Sequence, residues 1–325
     1  MIVSDGAVRQ RLEAFCRNEF DASELTISRL ERIPEGHSGF TYFVDFVDGP
    51  HARLVLRLPP PGARPQGPAD VARQGRIMTA LHHRGLPVPE VHVISEDPGA
   101  LDGRPFILME AIDGVRADKA AAEADNAELA RAAVAVMREI HAVDPADTGI
   151  GAEPARSLAD ELDRWSALIA KAPDELTKRA ADLRALLSRS LPADHGPARL
   201  VHGDFTYGNL LFRGGTVAAV LDWEIAQLGN PLLDLGSLCV IAKRHDYPND
   251  PNPSGAIRAT VEWLIDAYGA AGPVEWTVAL SYYKYAAIVG YNTMLHRRGK
   301  RPDPIYDLMG DTVIGLIDGA IEILT

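Results

Sequence analysis

Three oxygen-bearing side chains stand close together in the segment LVHGDFTYGNLLFRGGTVAAVLDWEIAQLGNPLLDLG: Asp204, Asn209 five residues later, and Asp222 a short span beyond. A carboxylate in this company can accept a hydroxyl proton or orient a nucleophile. An amide oxygen and a second carboxylate are hard ligands that suit Mg2+ against phosphate oxygens. The pattern predicts a short strand, LVHGD, ending at Asp204. It also predicts two paired strands, Leu210–Phe212 and Val217–Leu221, around Arg213-Gly214-Gly215, with Asp222 and Glu224 leaving the second. All three oxygen donors would then lie on loops at neighbouring strand ends, where a rigid scaffold presents functional groups. Any one of them could be a turn residue; the three at this spacing have little structural alternative.

The elements that must position them fall into two textures. Up to about residue 113 the chain is β-rich: a helix near 7–19, then apolar and β-branched runs at Leu25–Ile33, Thr41–Val47 and Arg53–Leu58, the last two joined by Asp48-Gly49-Pro50. PPPGARPQGP (59–68) can be neither helix nor central strand. A helix follows over about 70–83, stopped by Gly85 and Pro87, then strand runs at Glu90–Ser95 and Arg104–Ile112 closed by Asp113-Gly114. Beyond, helical patterns cover 125–143, 157–171, 174–190, 254–268, 274–296 and 304–324. The expected class is α+β: a small β-rich lobe over 1–112 and a larger, mainly helical lobe over 113–325.

Composition excludes several classes. The chain has 325 residues, 46% of them apolar and 24% charged, which is globular rather than disordered. Its formal charge of −12 argues against nucleic acid as the primary partner. Two cysteines, Cys16 and Cys239, argue against a disulfide framework, exclude a four-thiolate zinc site, and read as buried small apolar groups. There is no signal-peptide pattern and no membrane-spanning apolar run, so no membrane partner and a soluble cytoplasmic protein are expected. Neither a nucleophile elbow G-x-S-x-G nor a Rossmann G-x-G-x-x-G is present.

The step of five from Asp204 to Asn209, with a later Asp222, is the spacing by which protein kinases place a base and two metal ligands. Upstream residues fit the same scheme. Gly36-His37-Ser38-Gly39 lies between the first two strands, where a phosphate-covering turn would sit, although it could be a plain hairpin loop. Arg57 ends the third strand where kinases carry a phosphate-binding Lys, and Met109, Glu110 and Ile112 fall where a hinge would offer backbone groups to adenine. With LVLRLPPPG, LHHRGLPVPEVHVISEDPGALDGRPFILMEAIDG and HGDFTYGNLLF…VLDWEIAQLGNPLLDLG, the chain resembles the aminoglycoside phosphotransferase/choline kinase family of the protein-kinase-like fold over about residues 25–300. Within it the likeness is to the branch of phosphotransferase domains related to those fused to acyl-CoA dehydrogenases.

This resemblance implies a bilobal fold, ATP and Mg2+ as cofactors, and a small-molecule hydroxyl as acceptor. By residue, it implies Asp204 as the base, Asn209 and Asp222 on Mg2+, Arg57 on phosphate, His202 buttressing the loop, and Asp234 bracing it through backbone hydrogen bonds. Glu224 would be an outer or metal-neighbouring acid. Three positions depart from the family pattern: Gln74 stands where a helix Glu would pair with the strand cation, Gly39 where relatives often carry Asn, and Arg57 where a Lys is usual. Gln74 can hydrogen-bond Arg57 without neutralising it, which leaves room for a nucleotide-binding pseudokinase. The branch favours a hydroxyacyl or hydroxyacyl-CoA-like acceptor, with an aminoglycoside or a choline-like amino alcohol as the alternative. The basic run His296–Arg301 reads either as a solvated loop or as a contact for a phosphorylated or carboxylated substrate. Trp165, Tyr207, Trp223, Tyr282, Tyr283 and Tyr291 read as core or as pocket lining.

Overall fold

The computed structural model describes residues 5–33, 39–193, 196–243 and 256–325. The chain divides into two compact units. The first takes the described residues of 1–113 with 146–151 and 218–225; the second takes 114–145, 152–217 and the described residues of 226–325. The segment bearing Asp222 and Glu224 thus belongs with the β-rich unit rather than with the helical sequence around it.

In the first unit, helix α1 (Asp5–Glu19) precedes β1 (Thr26–Ile33), β2 (Phe40–Val47) and β3 (Arg53–Leu58). Helix α2 (Val71–His82) intervenes before β4 (Val91–Ser95) and β5 (Phe106–Glu110). The five strands form one antiparallel sheet in the order β1-β2-β3-β5-β4. The β2–β3 register pairs Phe40 with Leu58 and Asp45 with Arg53, so Asp48-Gly49-Pro50 falls in the turn. One face of the sheet is sealed by α1: Leu12, Cys16, Ile27, Val44, Leu56, Phe106 and Leu108 form a single buried cluster, with Phe15 edge-on to Phe106 at 5.0 Å. The Asp70 carboxylate accepts from the Arg73 N–H at 2.9 Å and starts α2 as an N-cap. Strand β5 is shorter at both ends than its apolar run; at the N-terminal end Leu101–Gly103 form a 3-10 turn running into Arg104.

The second unit contains α3 (Ala117–Glu123), α4 (Asn126–Ala142), α5 (Leu158–Ile169), α6 (Ala180–Arg189), the strands β6 (Arg199–Val201) and β7 (Leu210–Arg213), and, after β8 (Thr216–Val220), β9 (Gln227–Gly229). It closes with α7 (Leu232–Ala242), α8 (Val261–Tyr268), α9 (Val274–Arg297) and α10 (Gly310–Leu324). Strands β6 and β9 pair antiparallel, with Leu200 opposite Leu228.

Several helical patterns are trimmed. Asp174–Leu176 and Pro304–Asp307 are 3-10 turns preceding α6 and α10. Helix α8 begins only after Thr260, whose hydroxyl caps the Trp263 N–H; residues 254 and 255 lie outside the described ones. Helix α7 has no sequence signal because all eleven of its residues are buried, which leaves no amphipathic period to detect. Trp165, Tyr207, Trp223, Tyr282 and Tyr283 are all core. Cys16 and Cys239 are buried and free, with burial pushing both thiols up to about 12. Among the described residues no helix is long and apolar enough to cross a membrane.

Candidate active site

Strand β6 ends at Val201, three residues short of the predicted Asp204, and the reason is Asp234. From the first turn of α7, its fully buried carboxylate accepts the N–H groups of His202 at 2.7 Å and Gly203 at 2.8 Å, taking both away from any sheet ladder. Gly203 turns the chain with φ of 84°, a conformation that would strain any residue with a Cβ. His202 is fully buried, and its Nδ1 accepts from the Asp204 N–H at 3.2 Å. Two residues without a sequence signal complete the brace. His141 from α4 places Nε2 3.1 Å from Asp234, and its Nδ1 lies 2.8 Å from the Tyr268 hydroxyl. Burial opposes the Asp234 charge, but the hydrogen bond and charge of His141 and the contacts with His202 outweigh it and hold the carboxyl below its usual range.

Asp204 follows this turn, half-buried, with both oxygens gripped. Asn209 donates from Nδ2 to the Asp204 backbone carbonyl at 2.9 Å and to Asp204 Oδ2 at 3.0 Å, while Tyr285 donates its hydroxyl to Oδ1 at 2.7 Å. The Asn209 amide N–H groups are thereby engaged by Asp204. The neighbour of Tyr285, Lys284, is buried and donates to the Gly203 carbonyl at 2.8 Å and to the Ser237 hydroxyl at 2.6 Å. Burial lowers its pKa, against partial compensation from Asp204, Asp234 and Glu161. Successive side chains of α9 therefore hold successive residues of the loop.

In the first unit, Arg57 on β3 donates from Nη2 to Asp222 Oδ1 at 2.7 Å and to Glu224 Oε2 at 2.9 Å. Burial works against the guanidinium charge, but the two carboxylates more than offset it and raise its pKa. Asp222 itself has φ of 66°, a left-handed conformation unusual for a side-chain-bearing residue. Gln74 is buried in α2 and gives its amide N–H to the Pro68 carbonyl at 3.0 Å. Gly39 sits where a Cβ would lie 2.9 Å from the Leu58 carbonyl oxygen, so backbone packing alone accounts for the glycine. Gly36 and Ser38 lie outside the described residues. Met109 is buried in β5, the Glu110 N–H is taken by the Glu90 carbonyl at 2.8 Å, and Ile112 follows the strand half-buried. Among the described residues no group of three or more His, Cys, Asp or Glu is placed to hold a metal ion. Each unit carries a hard oxygen donor of the kind Mg2+ takes, the Asn209 amide in the second and the Asp222 carboxylate in the first.

The basic run divides. His296 is paired with Asp307, Arg297 with Glu175 and Arg301 with Asn292, whereas Arg298 and Lys300 line, with Lys171, Tyr291 and Met294, a cavity of about 480 Å³. Beneath the Asp204 loop, the Tyr207 hydroxyl is fully buried and has no hydrogen-bond partner among the described residues. Tyr207→Phe is expected to stabilise the protein by about 1 kcal/mol by removing that unsatisfied group. A fall in the denaturant midpoint would show that the hydroxyl has a partner in solution.

A model of the "Phosphotransferase enzyme family" matches residues 29–273. Two curated relatives are "Probable acyl-CoA dehydrogenase IBR3" of Arabidopsis thaliana and "Acyl-CoA dehydrogenase family member 10" of Mus musculus. The first is 27% identical over 80% of this chain and 35% of its own length, the second 31% over 70% and 22%. This chain thus spans about a third or less of their length. Among solved structures it is similar to a putative aminoglycoside phosphotransferase from Ralstonia eutropha (TM-score 0.72, 22% identity, 97% of each chain). It is also similar to a thermostable mutant of aminoglycoside phosphotransferase APH(4)-Ia in complex with AMP-PNP and hygromycin B (TM-score 0.66, 17% identity, 96% of this chain and 98% of that one). These likenesses establish the protein-kinase-like fold.

Proposed function

Because this chain belongs to the phosphotransferase enzyme family, we propose that it transfers the γ-phosphoryl group of ATP to the hydroxyl of a small metabolic alcohol, a hydroxyacyl or hydroxyacyl-CoA-like compound. The carrying observation is Asp204: a half-exposed carboxylate with both oxygens oriented by Asn209 and Tyr285, on a loop that the buried side chains of Asp234 and Lys284 hold in place. Asp204 accepts the acceptor's hydroxyl proton as the new O–P bond forms and the bond to the leaving ADP oxygen breaks. Asn209 and Asp222 are assigned to Mg2+, which when bound neutralises charge on the phosphate oxygens. Arg57 is assigned to phosphate; its planar fork suits two-point contact. Positioning and charge stabilisation supply most of the rate in such a transfer.

The acyl class of the acceptor is supported by the acyl-CoA dehydrogenase relatives, which match over part of their length. The nucleotide assignment is supported by the fold shared with a phosphotransferase bound to AMP-PNP. Purified protein with Mg·ATP, offered hydroxyacyl-CoAs, hydroxy acids, amino alcohols and aminoglycosides, should release ADP in response to the acyl class. A response to aminoglycosides alone would reverse the acceptor assignment. Nucleotide binding with no turnover on any acceptor would make the protein a binding module, and the absence of nucleotide binding would remove the reading. Tyr285→Phe, which deletes one donor to Asp204, is expected to lower kcat about tenfold with little change in the KM for ATP. An unchanged kcat would show that Asn209 alone orients the carboxylate.

A further inference from the structure

The assignment of Asp222 to a cation creates a charge problem that the structure answers. Arg57 is largely buried, its side chain 14% exposed, and such a cation needs a carboxylate partner, because removing one leaves an uncompensated buried charge. Helix α2 supplies none, since the position facing this role is Gln74, whose N–H is given to Pro68. If Asp222 were the only carboxylate on Arg57, committing its oxygen to a cation would weaken that charge pair. Glu224, two residues on, accepts from the same Nη2 at 2.9 Å and is itself only 20% exposed.

We propose that Glu224 is the positioning counter-ion of Arg57, taking over the work of the missing helix carboxylate and leaving Asp222 free for the metal–nucleotide. The inference rests on the phosphotransferase reading for the role of Arg57, and all its residues lie in the first unit. It also changes the meaning of Gln74: the charge pair has moved from the helix to the turn after β8, so the glutamine does not mark an inactive protein.

The test compares Glu224→Gln with Gln74→Met by calorimetric titration of Mg·AMP-PNP. Glu224→Gln removes the counter-charge at nearly constant shape, so Arg57 holds Asp222 and the Kd should rise about tenfold, with Gln74→Met having the smaller effect. The reverse order would overturn the proposal, as would equal Kd values for Glu224→Gln and wild type. A second readout needs no nucleotide: a thermal double-mutant cycle of Arg57→Met and Glu224→Gln. A double variant less destabilised than the sum of the single variants supports the pairing, and additive Tm losses overturn it. A wild type that fails to bind nucleotide while the cycle shows coupling would remove the phosphotransferase reading and leave the counter-ion assignment intact.

Discussion

Asp204→Asn should reduce acceptor-dependent phosphoryl transfer by about 10²- to 10⁴-fold, the range for loss of a positioned general base, while nucleotide affinity changes little. The substitution keeps the size and planarity of the side chain but cannot take up the acceptor's proton. It also replaces one of the two oxygens to which Asn209 and Tyr285 donate at 3.0 and 2.7 Å, so the orientation of the group is lost with its basicity. Turnover is best normalised to nucleotide-binding sites, which separates a chemical defect from a misfolded fraction. Turnover within a few-fold of wild type would remove Asp204 from the reaction and leave its hydrogen bonds as loop packing.

Asp234→Ala is expected to be the most destabilising single change around the site. It would leave the His202 and Gly203 N–H groups and His141 without their shared acceptor inside the protein. Removing one partner from such a buried network typically costs about 3–5 kcal/mol, enough to exhaust much of a domain's stability. The same carboxylate gives a signed pH dependence. Its folded pKa lies below the usual range, so its contribution is complete above the unfolded value of about 3.9 and is lost as pH falls through the folded one. Asp234→Asn should therefore flatten acid unfolding below about pH 4 relative to wild type. A parallel acid limb in urea titrations would mean that other carboxylates govern it.

The legible part of this molecule was local. The hairpin through Gly214-Gly215 is set by neighbours in sequence, and the structure places it between β7 and β8 as the pattern predicts. The apolar and β-branched runs at Leu25–Ile33, Thr41–Val47 and Arg53–Leu58 become β1 to β3, in a sheet with one face sealed by α1. Helix α7 left no trace because it is buried on every side. The residues that hold the site lie far away: Tyr285 is 81 residues from Asp204, His141 is 93 from Asp234, and Arg57 is 165 from Asp222. A tyrosine or histidine in a helical pattern looks the same whether it packs a core or orients a carboxylate.

The sequence by itself determined the α+β class, the two textures and the residue types able to do phosphoryl chemistry, because periodicity, turn chemistry and short-range spacing are properties of adjacent residues. Only the tertiary structure decided which groups partner them: that Glu224 and not Gln74 stands against Arg57, that Asp234 ends β6 early, and that α9 grips the loop through Lys284 and Tyr285. The reason is physical. A buried charge or hydrogen-bonding group must find a partner, but it takes whichever complementary group the packed chain brings within reach, and that choice is made in space rather than along the sequence.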